Sequence, residues 1–191
     1  MKFAFRVDSS YQIGSGHLMR CITLAKALKD KNIESIFISI KNKDDMSSLI
    51  KKNNFKILNI NNKKKDKKNS FSWKFDAEET QKKIKDEKIS HLIVDHYEID
   101  EKWEKYLYKD LKKLIVIDDL ADRRHFCDTL LDYSLPIKNY LKLVPSHTEI
   151  LAGPKFALLD RSFIKERKKA KQQKENLKNK KLTFYVSFGA S

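Results

Sequence analysis

His17 stands where the stretch FRVDSSYQIGSGHLMRC, residues 5–21, passes from a short apolar strand through a polar turn into a helix. A helix N-terminus disfavours imidazolium, and a neutral ring can accept a proton from water. The same position also suits a histidine that only caps the helix or bonds the turn; spacing alone leaves both readings open. Gly14 and Gly16, two of the chain's four glycines, let backbone approach a ligand closely, and free amides at the start of the helix favour an anion such as phosphate. Arg20, one turn on, either contacts that anion or pairs with a carboxylate.

More polar side chains follow other strand-like runs. HLIVD is followed by His96 and Tyr97, and KLIVID ends on Asp118, followed by Asp119, Asp122, Arg123, Arg124 and His125. In an open parallel sheet, ligands bind beyond the carboxyl ends of the strands, so Asp8, His17, Asp95, His96, Tyr97 and Asp118 become candidates for one crevice. Asp95 also suits a helix cap, with His96 and Tyr97 packing locally. The acidic run from Asp118 to Asp128 has no metal-ligand spacing and reads as an ion-paired turn. The third glycine of a dinucleotide fingerprint is missing, as are the Gly-Lys-Ser/Thr of a P-loop and a GxSxG elbow.

The elements that must position these residues alternate between strand-length apolar runs and longer amphipathic stretches, the sequence form of a βαβ series. Strands are expected over residues 2–7, 33–40, 55–60, 91–95, 113–118, 129–132 and 149–152. Helices are expected over 17–30, 45–52, 76–88 and 101–109, the first burying Leu18, Cys21, Leu24, Ala25 and Leu28. The fold class is therefore α/β: a Rossmann-like parallel sheet with helices on both faces. NNKKKDKKNS, residues 61–70, reads as a solvated loop. After Phe163 a charged stretch reads as an exposed helix or linker, and LTFYVSFGAS opens a new strand.

The 191 residues suffice for one domain and the start of another. No apolar run approaches the roughly 20 residues of a membrane span. Met1 leads directly into a core strand, leaving no room for a secretory signal. Cys21 and Cys127 lie far apart without CxxC spacing, which points to a reducing cytoplasm. The net charge of +15 raises nucleic-acid binding as a competing function, although the lysines are spread rather than clustered with aromatics.

FRVDSSYQIGSGHLMRCITLAKAL, LIVDHYEID with Trp103 after it, VIDDLADRRHFCDTLLD, LVPS, LAGPKFALL and FYVSFGAS together resemble the PseG family. These are the hydrolases of pseudaminic-acid biosynthesis that cleave UDP-2,4-diacetamido-2,4,6-trideoxy-β-L-altropyranose. The resemblance implies the N-terminal half of a GT-B-like fold, with His17 as the base that activates water for inverting attack at the anomeric carbon. It implies neither cofactor nor metal. Tyr97 is placed in the substrate pocket, Asp8, Gly14, Gly16 and Arg20 around sugar and diphosphate, and Asp95, His96 and Asp118 among the substrate-binding residues.

Many relatives carry arginine directly after ALL, where this chain has Asp160 followed by Arg161. The expected division is a domain over 1–164, a basic linker or helix over 165–180, and over 181–191 the first strand of a C-terminal nucleotide-binding domain whose remainder is missing. Such a chain is expected to be a cytoplasmic monomer, bound to no membrane or nucleic acid, with negligible hydrolase activity by itself. A GT-B glycosyltransferase, in which His17 activates an acceptor hydroxyl, is the alternative enzyme.

Overall fold

The computed structural model describes residues 1–10, 14–61 and 71–175. Seven parallel strands form one sheet: β1 (Lys2–Val7), β2 (Glu34–Lys41), β3 (Lys56–Asn61), β4 (His91–Asp95), β5 (Lys113–Ile117), β6 (Thr129–Asp132) and β7 (Glu149–Ala152), in the order β3-β2-β1-β4-β5-β6-β7. The helices are α1 (Gly16–Lys29), α2 (Ser47–Lys52), α3 (Trp73–Asp86), α4 (Glu101–Tyr108) and α5 (Ser162–Glu175). The predicted strands and helices are present, most with boundaries shifted by a few residues. The exposed helix expected after Phe163 begins at Ser162. Apart from Asn61, the loop expected over 61–70 lies outside the described residues, as does the strand expected over 181–191. Among the described residues, no helix is long and apolar enough to cross a membrane.

Both faces of the sheet are covered, which is why the strands read as nearly continuous apolar runs. Along β1 the period of two sends Phe3, Phe5 and Val7 toward Leu18, Cys21, Ile22 and Ala25 of α1, while Ala4 joins Trp103 and Leu107 of α4 on the opposite face. The spacing of those α1 residues makes one apolar stripe, and Lys26 and Lys29 in the last turn complement the helix dipole. Asn32, Asn54 and Lys88, just beyond α1, α2 and α3, adopt left-handed φ values of 58°, 58° and 54° that turn the chain toward the next strand.

The strand order reverses between β1 and β4, where an open α/β sheet leaves its crevice. Val7 pairs with Asp95 across that boundary, so Asp8 and His96 leave the sheet side by side. The next loop is held by buried charge. His125 Nδ1 donates to Glu104 Oε1 of α4 at 2.7 Å, its Nε2 faces Asp118 Oδ2 at 3.8 Å, and all three side chains are inaccessible to solvent. Arg123 Nη1 lies 3.0 Å from Asp118 and 2.8 Å from Asp122. The acidic stretch is thus ion-paired, as its mixture of signs suggests.

Burial alone would lower the His125 imidazolium, but the carboxylates of Asp118 and Glu104 outweigh it and lift the ring to about 9. A folded value above the unfolded one, ~6.5, means that this contribution is complete below that value and is lost as pH rises through about 9. The contribution is on the order of 3 kcal/mol. Melting temperature should therefore fall from pH 7 to pH 10 more steeply in the natural protein than in His125→Gln.

Candidate functional site

Two polar networks meet at the strand reversal, one on each face of the sheet. On the α1 face, His17 lies in the first turn and is 8% exposed. Its Nδ1 is 2.5 Å from Asp95 Oδ1, at the end of β4. Arg20 Nη2 also lies 3.0 Å from His17 Nδ1; a carboxylate can only accept, so the tautomer that serves Asp95 has its hydrogen on Nδ1 and leaves Nε2 as the acceptor nitrogen. Arg20 grips the same carboxylate through Nε to Oδ2 and Nη2 to Oδ1, both at 2.5 Å. Burial by itself would raise Asp95, but hydrogen bonds from Arg20 and His17 hold it below the usual carboxylate range. Its charge therefore persists at neutral pH beside the His17 ring.

The Tyr97 ring meets His17 edge-on, with centroids 4.4 Å apart, and remains 45% exposed. Burial and the neighbouring Asp119 carboxylate push its hydroxyl up to about 12, so it stays a donor at neutral pH. Arg20 Nη1 extends to Asp119 Oδ2 at 2.8 Å and to the Tyr133 hydroxyl at 3.2 Å. Of the two readings open for Arg20, the structure shows carboxylate pairing. The fully buried Cys21 thiol donates to Asp95 Oδ2 at 3.5 Å, and burial followed by Asp95 raises it well above the ordinary value.

The glycine turn lies beside this chain of contacts. Gly14 takes φ 85° and donates its amide to Ser10 at 2.8 Å, a conformation costly for a residue with Cβ. Ser15 caps α1 without a side-chain hydrogen bond, the first turn contains no acidic residue, and the Met19 amide closes on Ser15 at 2.9 Å. The amides of residues 16–18 precede the first intrahelical bond and lie at the positive end of the helix. Among the described residues, a Cβ built on Gly16 meets nothing within 4 Å. Packing within the protein therefore does not require glycine there, while backbone approach by a ligand would.

On the α3 face, Arg6 is completely buried within β1. It donates through Nη1 and Nη2 to Asp8 at 2.6 and 3.0 Å, and through Nε and Nη2 to Asp76 of α3 at 3.0 and 2.5 Å. Asp8 also accepts from the Ile40 amide at 2.8 Å, Ser39 at 3.2 Å and His96 Nε2 at 3.0 Å. Burial would raise this carboxyl, but Arg6 and His96 hold it far below the usual range. His96 Nδ1 accepts the Glu98 amide at 3.1 Å, so both ring nitrogens are used.

The expected substrate-binding residues Asp8, His96 and Asp118 all have partners within the protein. Asp8 and His96 have their polar atoms committed within the protein, and Asp118 is occupied by the Ala121 amide at 2.9 Å together with Arg123 and His125. These contacts tie the three residues to the frame of the crevice. Arg161, one residue beyond the expected arginine position, pairs with Asp30 at 2.7 Å. Asp30 follows the C-terminal end of α1, about 20 Å from His17 by helix rise. The expectation omitted Arg6, Asp76 and Tyr133, and placed Asp119 after β5 without giving it a substrate-binding role. Arg6 left a signal, a charge inside an otherwise apolar strand; Asp119 and Tyr133 follow β5 and β6 without a distinctive local pattern. Among the described residues, no three His, Cys, Asp or Glu side chains gather in a metal-binding group.

The arrangement combines a histidine in contact with a buried carboxylate and helix amides able to receive an anion. No established family model matches the sequence. The chain is 30% identical over its whole length to the UDP-2,4-diacetamido-2,4,6-trideoxy-β-L-altropyranose hydrolase of Campylobacter jejuni, spanning 61% of that protein. It is also 26% identical, again over its whole length, to an uncharacterised protein of Methanocaldococcus jannaschii, spanning 37% of it. In structure it is similar to Acinetobacter baumannii MurG, with a TM-score of 0.54, 11% identity, and coverage of 78% of this chain and 44% of MurG. A Rickettsia africae glycosyltransferase matches with a TM-score of 0.50 and 12% identity, over 93% of this chain and 50% of that one. The chain is thus similar in sequence to a UDP-sugar hydrolase, over 61% of that protein's length, and is built on a Rossmann-like sheet of the kind found in one half of a GT-B fold.

Proposed function

We propose that the chain provides the base-bearing wall of a UDP-sugar hydrolase, acting on a diacetamido-trideoxy sugar opposite a second α/β domain that holds the nucleotide. The observation that carries this reading is the His17–Asp95 pair at the strand reversal, beside the open amides of α1. His17 Nε2 takes a proton from water as the oxygen attacks the anomeric carbon; the C–O bond to the diphosphate breaks, and its electron pair leaves with UDP. Attack opposite the leaving group inverts the anomeric centre. Because UDP is a good leaving group, placing the water and receiving the diphosphate charge are the main tasks of the site.

The 30% identity to a hydrolase and the site's single base support hydrolysis. The full product of the gene, incubated with the UDP-sugar in ¹⁸O-labelled water, should release free sugar labelled at C1 and unlabelled UDP without an acceptor. Residues 1–191 alone should release little of either. Product formation only when an acceptor is added would assign glycosyl transfer instead.

Gly16 gives a separate check on the amide cradle. Gly16→Ala should leave the protein as stable or more stable, by up to about 1 kcal/mol, because alanine suits a helix better and its methyl enters open space. The same methyl should raise KM for the UDP-sugar several-fold. An unchanged KM would place the diphosphate away from this turn.

A further inference from the structure

The hydrogen bonds around His17 join two carboxylates to one guanidinium. Asp95 receives Arg20 Nε and Nη2, and Asp119 receives Arg20 Nη1. While His17 is neutral, the cluster carries one uncompensated negative charge; a proton on His17 brings it to neutrality. Were Asp119 absent, Arg20 would already balance Asp95, and that proton would add an uncompensated positive charge in a nearly closed site. Asp119 enters from the end of β5, is 25% exposed at its side chain, and leaves Oδ1 without a hydrogen-bond partner among the described residues. The other groups around His17 are Tyr97, which meets its ring, Cys21, whose thiol lies 3.5 Å from Asp95 Oδ2, and Tyr133, which touches Arg20. None of these three carries charge at neutral pH.

We propose that Asp119 is a positioning residue for the base: by engaging Arg20 it leaves the charge of Asp95 available to the proton that His17 accepts. This rests on His17 acting as the proton acceptor of the proposed hydrolysis. Asp119 acts through Arg20 and needs no contact with the reacting atoms. Its role is electrostatic, so a neutral isostere retains much of the local shape while removing the effect.

The test follows His17 by ¹H–¹⁵N NMR titration in residues 1–191. Asp119→Asn should lower the His17 titration midpoint by at least about half a pH unit. Asp119→Glu should restore most of the shift. Asp122→Asn, which removes another carboxylate of the same loop, 59% exposed and paired with Arg123, should leave His17 unmoved. A folded Asp119→Asn variant with an unchanged midpoint overturns the proposal. If that variant does not fold, the natural chain decides: the Asp119 ¹³Cγ shift must follow the His17 midpoint, and independence of the two overturns the proposal. Failure of the hydrolase reading would appear separately, as no sugar release by the full gene product despite an intact titration response.

Discussion

Replacing His17 with asparagine should reduce kcat for sugar release by about 10²–10⁴-fold, the range expected when a positioned general base is removed. The substituted amide can still meet Asp95, so the turn and α1 should keep their places, and UDP affinity should change little. The required result is a fall in kcat with the nucleotide dissociation constant nearly preserved, measured by product formation and calorimetry on the full gene product. Loss of both would point to collapse of the turn. Retained turnover would take His17 out of the reaction. Arg20 is unable to substitute for the lost base: burial would depress its pKa, but Asp95, Tyr133 and Asp119 hold its guanidinium well above the ordinary value.

Arg6→Met should destabilise the fold by about 3–5 kcal/mol, the expected cost of leaving buried partners of an ion pair without their counter-charge. Arg6 is the cation shared by Asp8 and Asp76, and Trp103 Nε1, at 2.9 Å from Asp76, compensates only a small part of that charge. Urea unfolding of residues 1–191 measures the effect. Converting Asp8 and Asp76 to asparagine in the same protein should recover part of the loss, because the stranded charges disappear with the arginine. A loss below about 1 kcal/mol in Arg6→Met, the size typical of an exposed pair, would show that the network contributes little.

The periodicity of the chain made most of the sheet legible. HLIVD and KLIVID can be buried strands and little else, and spacing placed Leu18, Cys21 and Ala25 on the inner face of α1, where Ile22 is also buried while the expected Leu24 and Leu28 are only partly covered. The crevice was legible too, since Asp8, His17 and Asp95 fall at strand or helix ends. Which carboxylate serves which cation was not, because partners such as Arg6 and Asp76 are 70 residues apart and meet only once α3 lies across β1. Asp8 and Asp95 look equivalent as letters after or within apolar runs, yet one is enclosed by five donors and the other underlies the histidine. Asp119 was overshadowed by Asp118, and only the direction in which each leaves β5 separates the ion-paired residue from the one beside Arg20.

Asp95 and His96 are consecutive, yet the first serves His17 beside α1 and the second serves Asp8 on the Arg6 side. One peptide unit thus joins two devices on opposite faces, and neither can be adjusted by sliding the chain. Adding or deleting a single residue within β4 would exchange the faces, aiming an imidazole where the carboxylate belongs and a carboxylate where the imidazole belongs. Changes of length in this chain should therefore be tolerated far better before His91 or after the Tyr97 turn than within the five residues between, where the chain works as a ruler as well as a strand.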